Sequence, residues 1–160
     1  MARTSTRRFV GAALMGIAVL LGLRLWVVEP FTVASDSMEP TVPQGSTVVL
    51  FKGPPSGEAR SLVAFPNPVD STLTLKRIVA VGGQIVAIKD ATLYVDGIPP
   101  DESFVDYESI DATYFGPVTV PDGYVFVLGD NRAVSIDSRD FGPVPKESLT
   151  ASVIWPASQP

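Results

Sequence analysis

No cysteine and no histidine occurs in the 160 residues, and lysine occurs only at positions 52, 76, 89 and 146. Without cysteine there is no disulfide, no thiolate zinc site and no thiol nucleophile, and the redox compartment is left open. Without histidine there is no Ser-His-Asp triad and no imidazole metal site. Any serine nucleophile in this chain has to give its proton to a lysine, a carboxylate or the amino terminus. Charge is also sparse, 18% of residues against 46% hydrophobic, which argues against disorder over most of the length. The length suits one compact domain with at most a small elaboration.

The charge that is present is unevenly placed. Arg3, Arg7, Arg8 and Arg24 give the first 28 residues +4 with no acid, so the net of −5 leaves −9 on the remainder. An acidic body is a poor match for phosphate-rich nucleic acid and is compatible with a soluble, exposed domain.

Phe9 to Leu23 carry no charge, and after Arg24 the apolar run continues through Val28. About 20 residues make a helix of roughly 30 Å, the thickness of a bilayer core. Glu29-Pro30 ends it, and Arg24 is near enough to the outer end to snorkel. The arginines before it predict residues 1–8 on the cytoplasmic side, a transmembrane helix over 9–28 and residues 29–160 beyond the membrane. A cleavable signal peptide is the alternative, releasing a secreted β domain. Its cleavage site near Ala34 is poorly formed, so a retained anchor is favoured.

From Ser46 onward, short runs rich in Val, Ile, Leu and aromatics alternate with Gly, Pro, Asp and Ser. They predict strands near 46–52, 61–65, 72–81, 84–89, 91–95, 124–128 and 150–155. Asp96-Gly97 and Asp122-Gly123 signal turns. The weakly patterned acidic stretch 98–118 reads as a solvated loop, within a small second lobe over 84–125. The fold class is mainly β, an antiparallel barrel-like or sandwich-like domain behind a single helix.

Three segments carry candidate chemistry. In Ser35-Asp36-Ser37-Met38-Glu39-Pro40-Thr41, the serine spacing lets a hydroxyl two residues before a nucleophile join its backbone N–H at an oxyanion. A turn or cap role is the plain alternative. In Lys76-Arg77-Ile78-Val79-Ala80-Val81-Gly82-Gly83, strand alternation sets Lys76 on a face with Thr74, Ile78 and Ala80. An ammonium there is desolvated, its pKa falls, and it becomes able to accept a serine proton. A solvated Lys-Arg pair on an edge strand is the alternative. The third segment runs from Gly129-Asp130-Asn131-Arg132 through Ser135, Asp137 and Arg139 to Gly142. By itself it reads as turn glycines, a capping Asp-Asn pair and a loop-fixing ion pair between Asp137 and Arg139.

Taken together and in this order, just past one apolar helix, the segments resemble the three boxes of bacterial type I signal peptidases, the Ser-Lys dyad serine peptidases. The resemblance spans roughly residues 29 to 144 and the anchor. It implies Ser37 as nucleophile and Lys76 as general base, with the Ser35 hydroxyl and Ser37 N–H at the oxyanion. It further implies that Ser135 hydrogen-bonds and orients the Lys76 amine, that Asp137 and Arg139 pair, and that Asp130 and Asn131 support the loop. Substrates of that family are preproteins with small residues at the first and third positions before the cut, bound extended in shallow apolar pockets. The matching pocket positions are Phe31, Val33, Met38, Val42 and Leu75. No metal or cofactor is implied. The implied setting is the cytoplasmic membrane, single-pass, with signal peptides, the bilayer and the export machinery as partners and no nucleic acid.

Departures from the family pattern are Arg60-Ser61 before the third hydrophobic run, Ala34 and Asp36 beside the serines, and Ala133-Val134 in the last box. None removes a catalytic group. Two other readings are compatible with the sequence: a specialised processing peptidase with a narrow substrate, and a membrane-anchored β module that binds peptide without cutting it.

Overall fold

The computed structural model describes residues 10–19, 22, 27–105 and 114–155. Ten strands lie among the described residues: β1 (Val28–Thr32), β2 (Thr47–Phe51), β3 (Leu62–Pro66), β4 (Leu73–Val81), β5 (Ile85–Lys89), β6 (Thr92–Val95), β7 (Phe115–Thr119), β8 (Tyr124–Leu128), β9 (Val144–Pro145) and β10 (Ala151–Trp155). A seven-stranded sheet runs β1-β2-β10-β3-β4-β8-β9, and a three-stranded sheet runs β6-β5-β7. Neighbours pair antiparallel throughout. A four-residue helix, Ser138–Phe141, and a 3-10 turn, Lys146–Ser148, link β8 to β10.

The expected mainly β, antiparallel domain is what the chain adopts, and the seven expected strands lie within a residue of the expected bounds. Three further strands escape the pattern. β1 carries Pro30, which is tolerated because β1 is the edge of its sheet. β9 is only two residues long.

β7 corrects the reading of 98–118 as a solvated loop. Gly116 and Pro117 hide the alternation, yet Val118 pairs with Val86 and Phe115 packs on Phe126 with ring centroids 5.5 Å apart. Asp106, Glu108 and Asp111 of that stretch lie outside the described residues. Asp96 and Gly97 both take positive φ, 52° and 79°, giving the tight turn their dipeptide signals.

Of the helix expected over 9–28, residues 10–19 are helical with exposed apolar side chains, whereas 9, 20, 21 and 23–26 lie outside the described residues. Residues 1–8 also lie outside them. Among the described residues no helix is long and apolar enough to cross a membrane. Val28 opens β1 rather than closing a helix.

β4 organises the interior, because it is buried along most of its length between β3 and β8. Val63, opposite Lys76 on β3, belongs with Phe65, Ile78, Val125 and Val127 to one apolar cluster. Leu75 joins a second cluster with Val33, Met38 and Val42, and Ala80 a third with Val86 and Phe126. The pairing of β4 with β8 shifts register between Ile78 and Ala80. That bulge turns Ala80 away from Ile78 and into the third cluster, so Ala80 does not share the Lys76 face as simple alternation predicts.

Candidate active site

β8 ends at Leu128, opposite Arg77 of β4. The chain therefore leaves the sheet one residue before it would face Lys76, and the following loop, 129–137, is free to fold over that side chain. On the other side, the loop 33–46 brings Ser37 in. Met38 and Val33, both buried, anchor that loop in the core. Hydrogen bonds from Val33 N–H to Ser46 O (2.9 Å), Gly45 N–H to Val33 O (2.8 Å) and Val42 N–H to Met38 O (2.8 Å) close it.

Lys76 Nζ donates to Ser37 Oγ at 2.7 Å, across 39 residues of sequence. Lys76 is 2% exposed and Ser37 7%. Ser35 Oγ lies 3.1 Å from Ser37 Oγ. Ser37 N–H finds no acceptor among the described residues, whereas its carbonyl accepts from Asn131 N–H at 3.1 Å. Burial lowers the Lys76 pKa from 10.5 to about 8. Asp137, Asp130 and Asp36 pull it back up and Arg139 pushes it further down, both to lesser extents than the burial. An amine poised there is available as a base near neutral pH.

The expected supports occupy one continuous network. Asp137 is fully buried and accepts from Gly129 N–H (3.0 Å) and Arg139 Nε (2.9 Å). Arg139 Nη2 reaches on to the carbonyls of Arg132 (2.8 Å) and Ser135 (3.2 Å). Asn131 Nδ2 donates to Asp36 O at 3.2 Å, so this loop and the serine loop are tied twice. Gly129 is needed for close approach rather than for a turn. A Cβ there would collide with the Ser135 side chain and stand 2.5 Å from Ser37 O.

Two expectations differ. Ser135 is buried, but its Oγ has no hydrogen-bond partner among the described residues, so the expected bond to Lys76 is not made. The hydroxyl packs against Gly129 instead. Of the expected pocket residues, Phe31, Val33, Met38 and Leu75 line a cleft of about 230 Å³ beside Ser35 and Ser37. Val42 does not line that cleft, although it packs in the same core cluster as Val33, Met38 and Leu75. A second cleft, of about 210 Å³, adjoins at Ser35 and Ser37 and contains Lys76.

Sequence reasoning missed the two buried ion pairs behind the site. Arg77 forks onto Asp130 through Nε (2.8 Å) and Nη2 (2.7 Å), with Phe104 stacked 4.0 Å from the guanidinium carbon. Arg132 pairs with Glu102 and donates through Nε to Gly129 O at 2.9 Å. An arginine inside an apolar strand signals a buried partner, but nothing in the sequence says which of the seventeen acids it is. Among the described residues no group of three or more acids converges to hold a metal ion.

The family described as Signal peptidase, peptidase S26 matches residues 6–157. Thylakoidal processing peptidase 1, chloroplastic, of Arabidopsis thaliana is 34% identical over 92% of this chain, and the chain spans 48% of that protein. Signal peptidase I of Mycobacterium tuberculosis is 29% identical over 98% of this chain and 75% of its own length. A crystal structure of a signal peptidase I from Enterococcus faecalis V583 shares the fold with a TM-score of 0.53 and 29% identity. It covers 62% of this chain and 98% of that one.

Proposed function

The chain belongs to the peptidase S26 family of signal peptidases, serine endopeptidases by class, and from that premise we propose that it is a membrane-anchored enzyme that cuts signal peptides from exported preproteins with a Ser37–Lys76 dyad. The observation that carries the dyad is the 2.7 Å contact between Lys76 Nζ and Ser37 Oγ in a buried setting without histidine. In this scheme neutral Lys76 takes the Ser37 proton as Oγ attacks the scissile carbonyl. The Ser37 N–H, which has no other acceptor among the described residues, and the Ser35 hydroxyl receive the oxyanion. Lys76 then returns the proton to the departing amine. With a pKa of about 8, about a tenth of the enzyme holds the neutral amine at pH 7.

The cleft walled by Phe31, Val33, Met38 and Leu75 suits the small residues before the cut. The apolar run over 9–28 supplies the anchor, and its flanking arginines hold the amino terminus in the cytoplasm. The export machinery is the expected neighbour at the membrane.

The test is cleavage, in detergent, of a preprotein bearing an Ala-x-Ala site by the wild type, Ser37→Ala and Lys76→Met. Cleavage at the single site by the wild type and by neither variant is the expected result. An inactive wild type on several such substrates sinks the reading, and a fully active Lys76→Met sinks the general base.

A further inference from the structure

We propose that the cleft on the Lys76 side of Ser37 is a subsite for the first two residues after the scissile bond, and that Val134 and Ile136 make it select apolar over acidic residues there. The inference rests on the reading of Ser37 and Lys76 as nucleophile and base.

The two clefts share Ser35, Ser37, Thr72 and Thr74, so they meet at the nucleophile and diverge from it. Proton transfer decides which is which. When the C–N bond breaks, its electron pair goes to nitrogen, and Lys76 Nζ supplies the proton it took from Ser37 Oγ. The leaving nitrogen must therefore come within hydrogen-bond reach of Nζ. Lys76 lines only the second cleft. The acyl half of the substrate then occupies the Phe31–Leu75 cleft, and the amine half passes along Lys76, Val134 and Ile136.

That second cleft has an unusual wall. Val134 and Ile136 are 54% and 57% exposed, two β-branched side chains held in water at the mouth of a catalytic cleft. They alternate with Ser135, which points inward and is buried, so both project to the open side. The backbone carrying them is fixed. Arg139 Nη2 holds the carbonyls of Arg132 and Ser135, and the buried Asp137 accepts from Gly129 N–H. A rigid apolar wall gains from being covered by an apolar side chain without reorganising. Asn67 and Thr72 add neutral polar groups, and Asp36 lines the same cleft, its carboxylate near enough to act on Lys76. In the reactive form, with Lys76 neutral, an acidic residue bound there meets the like charge of Asp36, a contact that discriminates by repulsion.

The test uses the full chain in detergent with peptides that keep an Ala-x-Ala site and carry Val, Leu, Ser or Asp at the first or second position after the cut. We expect kcat/KM for Val or Leu to exceed that for Asp by roughly tenfold. Val134→Ser with Ile136→Ser narrows that ratio to roughly threefold or less, and Asp36→Asn raises cleavage of the Asp peptide by a larger factor than that of the Val, Leu and Ser peptides. A wild type that cleaves all peptides equally, or a double variant that slows all of them by one common factor, overturns the subsite while leaving the dyad intact. A wild type that cleaves none of them overturns the enzymatic reading and the subsite with it.

Discussion

Arg77, the neighbour of Lys76 on β4, is bound through two nitrogens to both carboxylate oxygens of Asp130, at 2.8 and 2.7 Å, with neither side chain reaching solvent. Asp130 immediately precedes Asn131, whose N–H holds the carbonyl of Ser37. The proposed nucleophile and base are thus registered through one strand. β4 carries Lys76 directly, and through Arg77 it fixes the loop that positions Ser37.

Asp130→Ala leaves a guanidinium buried without its counter-charge. We expect a loss of roughly 3–5 kcal/mol in unfolding free energy, read by denaturant titration. The double substitution Arg77→Met with Asp130→Leu removes both charges and recovers much of that loss. Equal stability of Asp130→Ala and wild type would show that the pair contributes nothing.

The pH–rate profile should be governed by Lys76. In the proposed dyad the active form is the neutral amine, so kcat/KM is expected to rise with pH and level off above about 8. Asp137 is the strongest charge holding that pKa up. Asp137→Asn therefore moves the midpoint to lower pH, even as the loss of the Arg139 pair reduces stability. A midpoint that stays put or rises contradicts the electrostatic account.

The same group links catalysis to stability. Its pKa is about 8 folded against an ordinary 10.5. Between those values the unfolded chain binds more protons, so stability rises with pH through this window and the penalty is fully present below about 8. Lys76→Met should then stabilise the fold by up to about 3 kcal/mol at pH 7, with little gain near pH 11. Destabilisation at pH 7 would show that the amine contributes more by its contacts than its burial costs.

Ser135 separates the two roles expected of it. Its Oγ is buried and unpaired, so Ser135→Ala should leave thermal stability unchanged or raise it by about 1 kcal/mol. If the hydroxyl turns to Lys76 once substrate is bound, kcat falls by about tenfold or more while KM holds. An unchanged kcat would show that Ser135 does not orient the amine.

Gly129→Ala tests the close approach behind Ser37. The added Cβ meets Ser135 and stands 2.5 Å from Ser37 O, against the fixed 129–137 loop. Activity should fall by at least tenfold with a loss of about 1–3 kcal/mol in stability. An active, stable variant would mean that the two loops separate more easily than their hydrogen bonds suggest.

Much of this protein is legible in its sequence. Strand content follows from alternation and turn residues, which are local properties, so β2 to β6, β8 and β10 are readable within a residue. The absence of histidine and the scarcity of lysine by themselves confine the choice of proton acceptor for a serine nucleophile. β1 and β7 escape because Pro30 and Gly116-Pro117 break the pattern, and both are rescued by partners distant in sequence.

What only the tertiary structure decided is everything that depends on burial and long-range approach. The Ser37–Lys76 distance, the depressed pKa, the choice of Asp130 for Arg77, the separation of Val42 from the cleft and the Ser135 hydroxyl left unpaired among the described residues all arise where segments distant in sequence meet. A sequence specifies which side chains exist and how each strand alternates. Desolvation and pairing are properties of the space between strands, and that space exists only once β3, β4 and β8 have closed around Lys76.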